Sequence, residues 1–419
     1  VAAAELWTLL TGDRSRPPES TVRAFFRQRS AMGRRDRAAI GELALQGLRH
    51  AELVAWLQEP PRGVPLALAL AALDLTLGEL PAEARLGRRP DLIPAVEAAR
   101  QLLVDHRTLP RPHLPADVAR RHGLPAWWVE AWAPLLDTDE WEAAAAALQQ
   151  RAGLTLRVRL DRADAMTRVR EALDRAGVRW APGSFHPAAL RVLDPWKTEG
   201  CPLFAAGWYE VQDEGSQLLA ALCPTEPGAR VVDVCAGAGG KTLALAAQTE
   251  GLTLVALDLE PGRLAPLEAR AARAGIRGLR TAALAEGDAL ARDADGMLVD
   301  APCSGSGTLR RLPDPSRIRE GEVAGWVARQ REALAWAADR VRPGGWVVYA
   351  TCSLTPAEND GVLDAFLAAR PGWRVDVTGV PGFVPLTADA AGRPVLRLWP
   401  HRHGTDGFYG VVLRRPPGG

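Results

Sequence analysis

With 419 residues, 47% of them hydrophobic and 24% charged, the chain is too long for one hydrophobic core and too apolar for a disordered one, so two to three globular domains are expected. Lys plus Arg number 51 against 50 Asp plus Glu, a net charge of +1, which excludes a polybasic chain and leaves nucleic-acid binding to be argued from local patches. The longest apolar run, Val64 to Leu77, is broken by Asp74 and is too short for a bilayer, and VAAAELWTLL lacks the basic region and cleavage site of a signal peptide.

The five cysteines, Cys201, Cys223, Cys235, Cys303 and Cys352, form no CxxC pair and no Cys/His metal spacing. A reduced, cytoplasmic protein without a metal is expected. Among the basic residues only Lys197 and Lys241 are lysine. That bias reads as a GC-rich genome and weakens arginine as evidence of a phosphate-binding surface. A lysine kept against the trend marks a place where a compact ammonium is wanted.

Helical spacing runs from the first residues to about Gln150, for example Ile40, Leu43, Ala44 and Leu48, with breaks at PPRG, LGRRPD and LPRPHLP. The period changes at LTLRVRL, Leu154 to Leu160, which alternates like a half-buried strand. AMTRVREALDRAG then reads as a helix ending at Gly177, followed by the extended VRW and ALRVLD, a β-α-β-β module. From Gly207 strands and helices alternate: RVVDV and KTLALAAQ, LTLVALD and PGRLAPLEARAARAG, LRTAAL, GMLVD, a long helix ending near Val341, and WVVYAT. That order predicts a parallel sheet with helices on both faces and a ligand at the carboxyl ends of its strands. The bounds expected are an all-α domain at 1–140, a small α/β module at 141–205 and an α/β catalytic domain at 206–419.

VVDVCAGAGGKT, Val231 to Thr242, comes close to a P-loop, but Cys235 stands where the first glycine is required. A βαβ nucleotide site fits better, with Gly237 and Gly239 in the turn and Asp258 closing the next strand, where an acid would hold ribose hydroxyls. Such a turn suits S-adenosylmethionine as well as a dinucleotide. GMLVDAPCSGSGTLRRLPD places Asp300 and Cys303 after one strand, and WVVYATCSL places Cys352 after another, at the same predicted edge. Cys201 and Cys223 read as small buried hydrophobes. A thiol, an acid and a methyl donor around one pocket suit cytosine carbon-5 methylation, in which a thiolate adds to carbon-6 and a base later removes the carbon-5 proton.

VDVCAGAGGKT, LDLEPGRL, EGDA, LVDAPCSGSGTLRR, YATCSLTPAEND, the late DGFYG and the leading GWYEVQDEGSQLLA resemble, in order, the motifs of the RsmB/Sun-type RNA cytosine-5 methyltransferases. The resemblance spans the chain. It implies a NusB-like helical domain, a small ferredoxin- or RRM-like α/β module and a Rossmann-like catalytic domain. It further implies that Cys235, Ala236, Gly237, Ala238, Gly239, Gly240 and Lys241 wrap the methionine end of S-adenosyl-L-methionine, with Asp258 on its ribose, Arg263 alongside and Asp288 beside the adenine. Asp300 would face the cytosine and the cofactor, Cys352 would be the nucleophile, and Cys303 would assist proton removal and release. The loop departs from the family's usual CAAPGGKT at Gly237 and Ala238, so a more flexible turn is expected.

A cytosine must be unstacked to be reached, so a single-stranded or flipped target is expected. Arg310 and Arg311 are candidates for flanking phosphates, Lys197 for a further RNA contact, and Arg34 and Arg35 for an RNA-binding face of the first domain. The NusB-like resemblance favours small-subunit (16S) ribosomal RNA; a monomer with no membrane partner is expected. Two other readings stay open. One is the same chemistry on transfer RNA or large-subunit RNA. The other is a non-catalytic RNA-binding or antitermination factor, which would have no reason to keep Cys303, Cys352 and Asp300 together.

Overall fold

Apolar residues recurring every three or four positions wind the first 150 residues into helices. A computed structural model describes all residues except 13–17, 78–88, 109–113, 312–313, 316–318 and 419. Most of the predicted breaks LGRRPD and LPRPHLP therefore lies outside the described residues. The chain divides into two compact units, Val1–Arg151 with Leu309–Glu320, and Ala152–Thr308 with Gly321–Gly419.

In the first unit the described helices are α1 (Ala2–Gly12), α2 (Pro18–Arg27), α3 (Arg34–Arg49), α4 (Ala51–Gln58), α5 (Leu66–Leu77), α6 (Ile93–Arg107), α7 (Pro115–His122), α8 (Ala126–Trp132) and α9 (Trp141–Gln149). The long apolar run of the sequence becomes α5, which touches α1, α3, α4 and α6. A helix apolar all round must be covered all round, and Ala69, Leu70, Ala72, Leu73 and Leu75 are buried. A second cluster gathers Leu6, Leu10, Phe25, Ala44 and Leu48. This all-helical architecture agrees with the expected NusB-like domain. Among the described residues no helix is long and apolar enough to cross a membrane.

The second unit opens with a four-stranded antiparallel sheet of β1 (Leu154–Val158), β2 (Trp180–Pro182), β3 (Ala189–Val192) and β4 (Tyr209–Val211), in the order β2-β3-β1-β4. Leu156 and Val158 of β1 pack with Val169 and Leu173 of α10 (Ala165–Arg175). The alternation suggested a strand with one wet face. Arg157 and Arg159 are instead buried, at 2% and 7% exposure, because the second face is covered too. Gln212 accepts from Arg157 Nε at 2.6 Å, and the carbonyl of Ala274 accepts from Arg159 Nη1 at 2.8 Å.

The large sheet runs β11-β12-β13-β9-β8-β5-β6-β7, with β10 (Arg374–Val375) beside β13. The strands β5 (Arg230–Asp233), β6 (Thr253–Asp258), β7 (Arg280–Ala283), β8 (Ala294–Asp300) and β9 (Val341–Thr351) are parallel, as the alternation predicts. Beyond β9, β13 (Phe408–Arg414), β12 (Pro394–Leu398) and β11 (Leu386–Ala388) follow, each antiparallel to the strand before it. The sheet is thus mixed, a Rossmann-like centre with an antiparallel extension. Both faces are buried. Val232, Met297, Val299 and Val347 meet Leu334 of α16 (Glu320–Arg340) and Val362 of α17 (Asp360–Ala369). Val231, Leu298 and Val348 meet Leu218 of α12 (Glu214–Ala221) and Leu245 of α13 (Gly240–Gln248). Successive residues of a strand serve opposite cores, which is why β5, β8 and β9 read as unbroken apolar runs.

Candidate active site at the carboxyl edge of the sheet

Because β5, β6, β8 and β9 run parallel, their last residues share one edge, and the turn after β5, the acid Asp258, the acid Asp300 and the thiol of Cys352 all emerge there. The turn begins at Cys235 and ends where α13 starts at Gly240. Gly239 has φ +77°, and a Cβ there would collide with Leu267. Only glycine fits that position. The Gly237 N–H donates to Asp258 Oδ2 at 2.9 Å, and the Glu260 N–H donates to Asp258 Oδ1 at 3.0 Å. The Arg263 guanidinium stands 3.7 Å from the same carboxylate, which is 2% exposed. Each oxygen keeps a further lone pair that a hydroxyl could use.

Lys241, in the first turn of α13, turns its ammonium to Asp300 Oδ2 at 2.6 Å and lies 5.7 Å from the centre of the Phe408 ring. Burial alone would lower its pKa, but the Asp300 charge and hydrogen bond outweigh this, and the ammonium is held in its charged form. Beneath the turn, Asp233 is 1% exposed and accepts from Thr242 Oγ1 at 2.6 Å. Burial and the neighbouring Asp300 raise its pKa to about 7. The Cys235 thiol is pushed up by burial and by the charge of Asp233, so it stays neutral.

Cys303 and Cys352 come together with their sulfurs 3.2 Å apart. The hydrogen bond to Cys352 and burial push the Cys303 thiol up, which keeps a proton on that sulfur. The loops bearing the two thiols are laced by backbone bonds. The Gly307 N–H donates to the Cys352 carbonyl and the Gly407 N–H to the Gly307 carbonyl, each at 2.8 Å. The DGFYG motif is thus tied to the loop that follows Cys303.

One group behind the thiols was given no role on sequence grounds. Glu358 is completely buried, and its Oε1 accepts from the Ser304 N–H at 2.8 Å and from Gln330 Nε2 at 3.0 Å. Its Oε2 accepts from Ser304 Oγ at 2.6 Å and from Ser353 Oγ at 2.5 Å. Ser304 follows Cys303 and Ser353 follows Cys352, so one carboxylate fixes the neighbours of both thiols. The only trace of this in the sequence is an acid in the PAEND turn shortly after Cys352.

Asp288 lies away from this cluster in hydrogen-bonding terms. Arg292 Nη2 donates to it at 2.8 Å and Arg340 Nε at 2.7 Å, and these partners lower its pKa. Lys197 is an exposed residue of the small module. Arg34 and Arg35 are exposed at the start of α3, and Arg310 and Arg311 belong to the Leu309–Glu320 segment of the helical unit.

Residues 219–414 match the family model described as 16S rRNA methyltransferase RsmB/F, and residues 124–199 match the ferredoxin-like domain of the RsmF/B-like methyltransferases. The ribosomal RNA small subunit methyltransferase B of Salmonella typhi is 30% identical over 307 residues, covering 70% of this chain and 69% of that protein. The chain belongs to the RsmB/F family. The protein of the same name from Pseudomonas syringae pv. tomato is 36% identical over 284 residues, 66% of this chain and 62% of that protein. The match therefore spans a little under two thirds of that relative's length. The crystal structure of PH0851 superposes with a TM-score of 0.75 at 24% identity, covering 99% of this chain and 98% of that one. NSun6 from Pyrococcus horikoshii, solved with SFG, gives 0.61 at 18% identity over 70% of this chain and 99% of that one. At these identities the likeness establishes the fold. Within this RsmB/F framework the mixed sheet and the ferredoxin-like module belong to one methyltransferase-type architecture.

Proposed function

We propose that this RsmB/F chain is an S-adenosyl-L-methionine-dependent RNA cytosine-5 methyltransferase acting in the cytoplasm on a cytosine of small-subunit (16S) ribosomal RNA. The observation that carries the reading is the pair of sulfurs 3.2 Å apart, set beside an aspartate that a lysine holds at 2.6 Å. The residues suit the cofactor. Backbone N–H groups at the start of α13 and the Asp258 carboxylate offer a polar cradle for its methionine and ribose portions, and the glycines keep the turn clear of side chains. When bound, S-adenosylmethionine supplies an electrophilic methyl group.

Cys352, as thiolate, adds to carbon-6 of the cytosine, and the displaced electron pair makes carbon-5 nucleophilic. Asp300, oriented by Lys241, accepts from the cytosine amino group and from ring nitrogen-3 as that nitrogen takes up a proton, and so lowers the barrier to that addition. After methyl transfer, carbon-5 gives its proton to water acting as base, the freed electron pair re-forms the ring double bond and Cys352 leaves as thiolate. Cys303, in contact with the departing sulfur, assists that step. Small-subunit RNA as the substrate rests on the names of the relatives.

The test is a denaturing gel of protein incubated with S-adenosylmethionine and small-subunit RNA. Cys303→Ala should trap a covalent protein–RNA band and Cys352→Ala should not. The reverse pattern would exchange the roles of the two thiols. Absence of a band from both, with a wild type unable to methylate that RNA, would reject the reading.

A further inference from the structure

The motif GWYEVQDEGSQLLA takes no part in the chemistry above, yet two of its polar side chains are buried toward the Gly-rich turn. Glu210 of β4 is 3% exposed. Its Oε2 accepts from Arg270 Nε at 3.2 Å and Nη2 at 3.0 Å, and its Oε1 accepts from Arg273. Both arginines lie on α14 (Ala265–Ala274). The remaining nitrogen of Arg270, Nη1, donates to the carbonyl of Ala238 at 2.6 Å. Gln212 holds its Nε2 3.6 Å from the place a Cβ on Gly240 would occupy.

Among the described residues the turn is otherwise held by its sheet side and by a bond within itself. The Ala236 N–H donates to the Leu257 carbonyl at 2.9 Å, the Gly239 N–H to the Ala236 carbonyl at 2.8 Å, and the Gly237 N–H to Asp258 at 2.9 Å. Ala238 is the exposed tip, between glycines at φ +52° and +77°. Alanine does not restrain its own φ as a proline would. A planar fork with a buried carboxylate behind it supplies the missing restraint, because fixing two nitrogens on Glu210 fixes the direction of the third.

We infer that Arg270 is a positioning residue for the cofactor loop, clamping the Ala238 carbonyl to Glu210 so that the small ferredoxin-like sheet sets the shape of the turn. This rests on the reading of Cys235 to Lys241 as that loop. Without the clamp the turn populates more conformations, and the apparent affinity for the cofactor falls by the fraction that remains competent.

The test uses the full chain with Arg270→Ala, Arg270→Lys, Glu210→Gln and the Arg270→Ala/Glu210→Gln pair. Binding of S-adenosylmethionine is measured at equilibrium, and amide hydrogen exchange of residues 236–241 is followed without ligand. Arg270→Ala should weaken binding about fivefold, the worth of one net hydrogen bond, and speed exchange in the turn. Arg270→Lys should fall short of wild type, since an ammonium cannot span both partners. Glu210→Gln should weaken binding in the wild-type background and add nothing in the Arg270→Ala background, because it acts through that arginine. Unchanged exchange and affinity in Arg270→Ala, or additive effects of the pair, would overturn the inference and leave these residues a purely structural task. A wild type that binds no cofactor would reject the proposed function, while the ligand-free exchange comparison would still decide whether Arg270 holds the turn.

Discussion

Glu358 concentrates four hydrogen bonds on one buried carboxylate, and every donor belongs to or touches a loop that carries a thiol. Glu358→Gln would replace one acceptor by an NH2 group facing hydroxyl donors. The expected cost is roughly 1–3 kcal/mol of stability, read as a lower unfolding midpoint. A loss of methylation rate at saturating cofactor, with cofactor affinity kept, is expected alongside it. Asp233 gives a prediction in pH. Its folded pKa of about 7 lies above the ordinary 3.8, so the folded protein keeps a proton that the unfolded chain releases. Stability from this group is present in acid and is lost as pH rises from about 4 to 7, on the order of 4 kcal/mol in total. Asp233→Asn should therefore gain on wild type in unfolding free energy between pH 5 and pH 8; a constant difference would mean that the carboxyl is ionised throughout. Asp300, Cys303 and Cys352 are legible in the sequence because each follows an apolar strand and stands among small or polar residues. Glu358, Gln330 and Arg270 are not. Apart from Ser353, their partners lie far along the chain, and nothing in the local pattern distinguishes a buried clamp from an ordinary helix or turn residue.

At the scale of elements, the turn between β5 and α13 is where backbone geometry limits the sequence most. Gly239→Ala would force a side chain into the left-handed region and into Leu267 at once. A loss of roughly 2–4 kcal/mol is expected from strain and overpacking together, together with lost cofactor binding. Thermal unfolding and equilibrium binding would check the two effects separately. The parallel strands were readable because their two-sided burial leaves continuous apolar runs. The antiparallel extension of β10 to β13 was not, since β10 and β11 have only two and three residues and each strand is placed by its neighbour in the sheet and not by a period of its own. The burial of Arg157 and Arg159 escaped the alternation rule for a related reason. Alternation tells which residues share a face, and whether that face is wet depends on what packs against it.

At the scale of the whole molecule, a net charge of +1 means that RNA affinity has to come from local patches. Arg34 and Arg35 sit in the first turn of α3, where the helix dipole disfavours cations, and Gly33 offers no side-chain cap. Reversing both to glutamate should therefore raise the stability of the helical unit by up to about 1 kcal/mol. It should also weaken RNA binding and lower its salt slope by about 1.5, the share of two phosphate contacts. Filter binding over a salt series, with thermal unfolding of the same variant, separates the outcomes; unchanged affinity would remove α3 from the RNA surface.

The helical unit is discontinuous in sequence, taking Leu309–Glu320 from far beyond Arg151. On a ribosome adding about 5–20 residues per second, roughly 160 residues must follow Arg151 before that segment emerges, a delay on the order of 10–30 seconds. The helices before Arg151 are therefore synthesised well before the unit to which they belong can be finished. Nascent chains arrested before residue 309 should present a helical unit still open to chaperones and proteases, and arrest beyond residue 320 should close it.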